Sequence, residues 1–157
     1  MEITPDHPGF SFAEHGGFER TSPCDANYNC IAHAAGDRGR WWEPDPDDEY
    51  YWPEEATRSY TLEAYREAFE SLGFRKCDGM ALEPGYEKVA LFAQSGAPKH
   101  ASIQIAAGRN SGKWSSKLGK NIDVLHELHG ASGPCYGTVV LVLRRRIDKG
   151  NPLLGEV

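Results

Sequence analysis

The hydrophobic period of this chain changes once, after residue 73, and this change limits the possible folds more than any other feature. From Thr61 to Gly73 the apolar side chains recur at helical spacing, with Thr61 as the capping residue and Gly73 as the stop. The segments 87–93, 100–106 and 136–146 are instead short, and they alternate or are rich in β-branched residues. This order predicts an α+β fold, with N-terminal helices packed on one face of a C-terminal antiparallel sheet.

The segments outside this pattern are shorter or less regular. Residues 1–20 contain prolines and glycines without a sustained period, which predicts an extended arm lying over the domain. A short helix is predicted over 29–35, with Cys30 in its first turn. Residues 113–120 are typical of a strand followed by a turn, and 121–130 favour a helical turn or two.

Size and charge exclude several classes of protein. With 157 residues, the chain is expected to form a single domain, 1–157. The formal net charge is −6, and the basic run Arg144–Arg146 ends a predicted strand, which argues against nucleic acid as a partner. The sequence shows neither a signal peptide nor a run of about eighteen apolar residues, so we expect a cytoplasmic protein that does not span the membrane.

Cys30 is the first candidate for chemistry. The first turn of a helix combines the positive end of the helix dipole with free backbone N–H groups, and both stabilise a thiolate. The same N–H groups, with Asn27 or Asn29 nearby, would stabilise the oxyanion that forms when the sulfur attacks a carbonyl carbon. Two structural alternatives stay open: Cys30 is a small buried apolar residue, or it forms a disulfide with Cys24. A chain without a signal peptide usually keeps its thiols reduced.

His100 is the candidate base. The alternation in its strand places His100 on the polar face together with Ser102 and Gln104. A histidine at the start of such a strand can meet a helix terminus from elsewhere in the chain and accept a proton from a thiol. The structural alternative is an exposed histidine at a strand end.

A third polar group is expected to orient the imidazole of His100. Asp123 is favoured on chemical grounds, because a carboxylate stabilises an imidazolium best. Ser115 and Ser116 are favoured by position, because they lie on the predicted neighbouring strand. Trp114, beside them, is expected either to wall the cleft or to lie in the core.

The order of these residues, a cysteine opening an N-terminal helix and a histidine opening a later strand, resembles the papain-like superfamily, including NlpC/P60-type peptidases and amidases. The resemblance covers residues 27–145 and concerns architecture, since the motifs that flank the cysteine in papain or NlpC/P60 enzymes are absent around Cys30. It implies a papain-like fold and a cysteine hydrolase that cleaves an amide-type bond in a peptide or protein substrate without a cofactor or metal. More closely, "NCIAHAAG", "YWP", "HASIQ", "WSSKLG" and "YG" resemble a family of uncharacterised bacterial proteins.

Two other functions stay open. A zinc site is suggested by the pairs Cys30 with His33 and His126 with His129, each spaced i, i+3, although the tight C-x2-C pairs of structural zinc sites are absent from the sequence. A non-enzymatic interaction module is suggested by the aromatic loop 41–52, where acidic residues among the rings would suit a basic protein partner. The same rings would also suit a loop that folds back onto its own core.

Overall fold

The computed structural model describes residues 4–5 and 7–147, and one seven-stranded sheet dominates it. The strands are β1 (Phe18–Arg20), β2 (Arg75–Lys76), β3 (Tyr86–Gln94), β4 (Ala97–Gln104), β5 (Trp114–Lys117), β6 (Asp123–His126) and β7 (Thr138–Arg146). Their order across the sheet is β1-β6-β5-β4-β3-β7-β2, and every neighbouring pair is antiparallel. The α-helices are α1 (Cys30–Ala34) and α2 (Leu62–Glu70), and 3-10 helices span Phe12–His15 and Leu128–Ala131.

The predicted α+β class is wrong, because the described part of the chain is largely β. That part contains only two short α-helices, of five and nine residues. The sheet is not a separate C-terminal unit, since β1 precedes both helices and pairs with β6. The predicted papain-like layout of an N-terminal helical layer on a C-terminal sheet is therefore wrong as well. Three short segments without a clear period, 18–20, 75–76 and 123–126, become strands by pairing with their neighbours.

Several local predictions are confirmed. Thr61 caps α2, with its hydroxyl accepting a hydrogen bond from the Ala64 N–H at 3.2 Å. Asn29 caps α1 in the same way, through the Ala32 N–H at 3.1 Å. Gly36 follows α1 in the left-handed conformation, with φ of 86°. The three longest predicted strands correspond to β3, β4 and β7.

The predicted helix over 121–130 is wrong in its first half. Asp123–His126 forms β6, because its backbone pairs with β5 on one side and with β1 on the other. Only the following Leu128–Ala131 turns as a 3-10 helix. A buried backbone must satisfy its N–H and C=O groups, and a segment between two strands does so as a strand whatever its own preference.

The sheet is buried on both faces, and each face has its own core. The face that carries α1 and α2, here called the helix face, is filled by side chains that include Ile31, Trp42, Trp52, Tyr65, Phe69, Phe74, Val89, Leu91, Ala101 and Leu143. The opposite face, here called the arm face, is covered by the N-terminal arm through Phe10 and Phe12, and its core also contains Phe92, Trp114, Val124, Leu128 and Tyr136. Successive residues along a central strand therefore enter two different cores.

Candidate active site: two serine–histidine clusters on opposite faces of the sheet

Cys30 and His100 lie on opposite faces of the sheet. Cys30 packs against the helix-face core, to which Ala101 of β4 also belongs. His100 precedes Ala101 on β4, so its side chain points to the arm face, where it stacks on Tyr136 with 3.9 Å between the ring centroids. The structure therefore does not bring the predicted nucleophile and the predicted base together.

On the helix face, His33 lies between a serine and a carboxylate. Its Nε2 atom is 2.8 Å from Ser115 Oγ, and its Nδ1 atom is 3.7 Å from Asp123 Oδ2. A serine on one ring nitrogen and a carboxylate on the other is the arrangement of Ser-His-Asp hydrolases. The separation of 3.7 Å is longer than a hydrogen bond, but such contacts are often long before substrate binds.

Asp123 is fixed by its neighbours in this helix-face cluster. Its Oδ2 atom accepts hydrogen bonds from the Tyr28 hydroxyl at 2.8 Å and from Arg38 Nη2 at 2.7 Å. Lys117 faces Asp123 across β5 and β6, and its ammonium donates to two backbone carbonyl groups at 2.5 and 2.6 Å. Asp123 is 1% exposed, whereas the side chains of His33 and Arg38 keep 12% and 62% of their surface. The cluster therefore reaches solvent through His33 and Arg38.

His33 is neutral near pH 7. Burial lowers its pKa, the charge of Asp123 opposes that shift, and the charges of Arg38 and Lys117 add to it. With the ring hydrogen on Nδ1, facing the carboxylate, Nε2 accepts the hydrogen bond from the Ser115 hydroxyl. This is the protonation state that a general base requires.

Cys30 lies one helical turn before His33, at the start of α1. Burial raises the pKa of its thiol to about 11, although the backbone N–H groups of Ala101 and Ile31 oppose the shift. The resting group is therefore a neutral thiol and not the thiolate expected at a helix N-terminus. The neighbouring apolar core outweighs the favourable position on the helix.

Alkylation should show this difference directly. At pH 7 a thiol with a pKa of about 11 is ionised in roughly one molecule in ten thousand, so Cys30 is expected to react with iodoacetamide at least about tenfold more slowly than the exposed Cys24. Peptide mass spectrometry over a time course measures both rates, with the protein unfolded in urea as the control in which the rates converge. A faster reaction at Cys30 in the folded protein would contradict the neutral thiol.

Ser116 is the centre of a second cluster, on the arm face. Its Oγ atom lies 2.9 Å from His100 Nε2, 2.7 Å from His126 Nε2 and 2.6 Å from Ser102 Oγ. His126 Nδ1 is 2.6 Å from the carbonyl oxygen of Glu127, so Nδ1 carries the hydrogen and Nε2 accepts one from Ser116. His100 Nε2 then donates to Ser116.

The arm-face cluster is closed to solvent. Its two histidines and two serines are each at most 2% exposed. Burial lowers the pKa of His126 to about 4 and that of His100 well below its ordinary value. The structure thus brings Ser116 to His100 as predicted, but inside a core and away from Asp123, which faces His33.

Of the remaining predicted site residues, Asn29 and Trp114 have structural contacts. Asn29 caps α1 and also binds both the N–H and the carbonyl group of Trp42, so its amide is engaged. Asn27 is exposed. Trp114 is 3% exposed and packs in the arm-face core. All four cysteines are free thiols, so the disulfide considered above is not formed.

The sequence does not indicate that His33 contacts Ser115 and Asp123, and it favours Ser116 over Ser115 as the partner of His100. The available signal was the alternation in β5, which places Ser115 and Lys117 on one face, and the short turn that follows it, which returns Asp123 to the same face. The helical turn that carries His33 could not be assigned to that face from sequence, because its contact with β5 is long-range.

Residues 4–5 and 7–147 contain neither a metal-binding group nor a membrane-spanning helix. No group of three or more histidine, cysteine, aspartate or glutamate side chains is arranged there to hold a metal ion. His126 binds Ser116, and His129 is exposed. Nor is any helix in that part of the chain long and apolar enough to cross a membrane.

Comparison with known proteins matches a single domain family. The match runs over residues 19–144 and so includes both clusters, both α-helices and nearly all of the sheet. No curated protein and no solved structure matches significantly. On the extent of the family match, the chain belongs to the family described as a domain of unknown function, DUF7689.

Proposed function

We propose that this protein is a hydrolase of acyl bonds of the amide or ester type, in which Ser115 is the nucleophile, His33 the general base and Asp123 the group that orients His33. The proposal rests on one observation: Ser115 Oγ lies 2.8 Å from Nε2 of a neutral histidine whose other ring nitrogen faces a carboxylate. These three side chains come from α1, β5 and β6, so the fold itself positions them.

The reaction follows from these contacts. His33 Nε2 takes the hydroxyl proton of Ser115 as the serine oxygen bonds to the carbonyl carbon of the substrate. The imidazolium then gives this proton to the leaving amine or alcohol, which leaves an acyl-serine ester. Water, deprotonated by His33, releases the acid and restores Ser115. Asp123 stabilises the imidazolium in both steps and keeps the hydrogen on Nδ1.

Substrate is expected to approach along the exposed edge of His33. Ser115 itself is 8% exposed, while Arg38, which is tied to Asp123, presents most of its guanidinium side chain to solvent. A charged donor at the entrance of the cluster favours substrates with a carboxylate or carbonyl group near the scissile bond. A peptide or protein substrate meets this requirement.

A second candidate is a cysteine hydrolase with the same base. One observation favours it: Cys30 lies one turn from His33 on α1. The neutral thiol would then lose its proton only during attack, and His33 would replace His100 in the predicted pair. The arm-face histidines take no part in either version.

A fluorophosphonate probe, which forms a covalent adduct with activated serines, is expected to label Ser115. Ser115→Ala should abolish this labelling, because it removes the oxygen that reacts. His33→Gln should reduce it by about a hundredfold or more, because the base contributes that much to serine attack. Labelling and ester hydrolysis are measured by mass spectrometry and absorbance, and thermal melting verifies that each variant is folded.

Ser116→Ala is the matched control, because it removes the neighbouring serine on the other face and should leave labelling intact. Cys30→Ala separates the two candidates. If Cys30→Ala abolishes hydrolysis while Ser115→Ala does not, the cysteine version is correct. If neither change reduces hydrolysis or labelling, the helix-face cluster is not the active site.

A further inference from the structure

The loop 41–52 sends some of its aromatic side chains into the core and leaves others on the surface. Trp42 and Trp52 are buried in the helix-face core. Tyr50 is 42% exposed, and Tyr60, shortly after the loop, is 50% exposed. Trp41 is half-buried, and its ring centroid lies 6.4 Å from that of Tyr50. We call Trp41, Tyr50 and Tyr60 the aromatic patch.

A single carboxylate holds two of these three rings. The Trp41 indole N–H donates to Glu43 Oε1 at 3.0 Å, and the Tyr60 hydroxyl donates to Glu43 Oε2. Its hydrogen bond to Glu43 raises the pKa of Tyr60 to about 12, so the phenol stays protonated and keeps donating. Each carboxylate oxygen can accept two hydrogen bonds and accepts one here, which leaves Glu43 able to accept from a ligand as well.

The surroundings of the aromatic patch are strongly acidic. Residues 43–55 contain seven acidic residues and no lysine or arginine. Arg58 neutralises part of this charge by pairing with Asp45 and Asp48, at 3.0 and 2.8 Å. Apart from Glu43, the other acidic side chains of this segment are all exposed: Asp47, Glu49, Glu54 and Glu55. A cationic ligand is therefore attracted to a surface that also offers ring faces.

The same loop already binds one guanidinium in this way. Arg40 lies over the ring of Tyr51, with its Cζ atom 3.5 Å from the ring centroid, and its Nε atom donates to Asp37 Oδ2 at 2.7 Å. This contact combines a ring face with a carboxylate. The aromatic patch, with Tyr50, Tyr60 and Glu43, repeats that combination on the exposed side of the loop.

We propose that the aromatic patch is a docking site for an arginine side chain on an exposed segment of a partner protein. A guanidinium stacks on aromatic faces and forms hydrogen bonds in its own plane, so it can use the rings and the Glu43 carboxylate at once. Tryptophan, tyrosine and arginine are also the residues that dominate binding energy in protein interfaces. This inference is independent of the proposed hydrolase, because it uses none of its residues.

The probe is an acetylated, amidated peptide with two arginines separated by glycines, compared with the same peptide carrying citrulline in place of arginine. Citrulline keeps the planar shape and loses the charge. The arginine peptide is expected to shift the Trp41 indole N–H signal in NMR titrations and to bind at least about tenfold more tightly than the citrulline peptide. Equal binding of the two peptides would overturn the proposal.

The variants separate a specific site from general attraction to the acidic loop. Tyr50→Leu with Tyr60→Leu removes two ring faces and no charge, and it is expected to weaken binding about tenfold, whereas Tyr60→Phe with Tyr50→Phe should retain most of it. Both tyrosines are exposed, so neither variant disturbs the core. If the leucine variant binds the arginine peptide as tightly as the unchanged protein, the acidic charge alone is responsible and the aromatic patch is not a site.

Discussion

Replacing Asp123 by alanine is expected to lower the free energy of unfolding by about 3–5 kcal/mol, the usual cost of removing one partner from a buried group of charges. The side chain is 1% exposed and accepts hydrogen bonds from Tyr28 and Arg38. Without it, the fully buried ammonium of Lys117 loses the carboxylate whose charge supports it. Urea denaturation followed by tryptophan fluorescence measures the change.

Asp48→Ala is the control for this experiment. Asp48 also pairs with an arginine, but its side chain is 81% exposed, and exposed pairs contribute less than about 1 kcal/mol. Asp123→Asn keeps the shape of the side chain and one acceptor oxygen. We therefore expect its free energy of unfolding to lie between those of Asp123→Ala and the unchanged protein. Equal losses for Asp123→Ala and Asp48→Ala would contradict the view that Asp123 anchors the helix-face cluster.

The second large effect is a loss of stability between about pH 6.5 and pH 4. Burial lowers the pKa of His126 to about 4 and that of His100 well below its ordinary value, which is about 6.5 in the unfolded chain. In this window the unfolded chain binds protons that the folded protein does not, so stability falls as the pH falls. For His126 alone the shift corresponds to about 3 kcal/mol. Protonated His100 would also bury an N–H on Nδ1, which has no hydrogen-bond partner in the described part of the chain.

Unfolding in urea at pH 7, 5.5 and 4 gives the slope of the free energy of unfolding against pH. His126→Gln is expected to flatten it, because glutamine can still accept the hydrogen bond from Ser116 and does not titrate. The exposed His129→Gln should leave it unchanged. Carboxylates with a lowered pKa, such as Glu67 and Glu83, destabilise the fold only below about pH 5, so the interval from pH 7 to pH 5.5 reports the histidines. If His126→Gln keeps the full slope, the arm-face cluster is not the group that senses acid.

The helix caps and the three long strands of this chain are predictable from sequence, and the pairing of its chemical groups is not. Thr61 and Asn29 act as helix caps because capping depends on residues three positions apart. The position of His100 depends on what covers the other face of the sheet. The sequence predicts His100 either beside a helix terminus or at an exposed strand end, whereas Phe10 and Phe12 from the N-terminal arm close the arm-face core beside it.

The grouping of residues in the candidate site could not be predicted from sequence for a related reason. Ser115 and Asp123 follow His33 by 82 and 90 positions, and only the packing of α1 over β5 and β6 brings the three residues together. A strand reveals which of its own side chains share a face. It does not reveal which helix residue will meet them, and that is why Asp123 is predicted beside His100, whereas it lies 3.7 Å from His33.

Because Ser115 and Ser116 are adjacent, their hydrogen bonds to histidines do not fix the register of β5 in the sheet. A shift of β5 by one residue would exchange its faces, yet either shift still places one serine beside a histidine, so these hydrogen bonds distinguish poorly between registers. The flanking residues make the distinction. One shift would move Lys117 between His100 and His126, where its ammonium would meet neutral imidazoles in an apolar core, and the other would force the Trp114 ring between His33 and Asp123. A chain with small, uncharged residues at 114 and 117 is therefore expected to populate misaligned sheets.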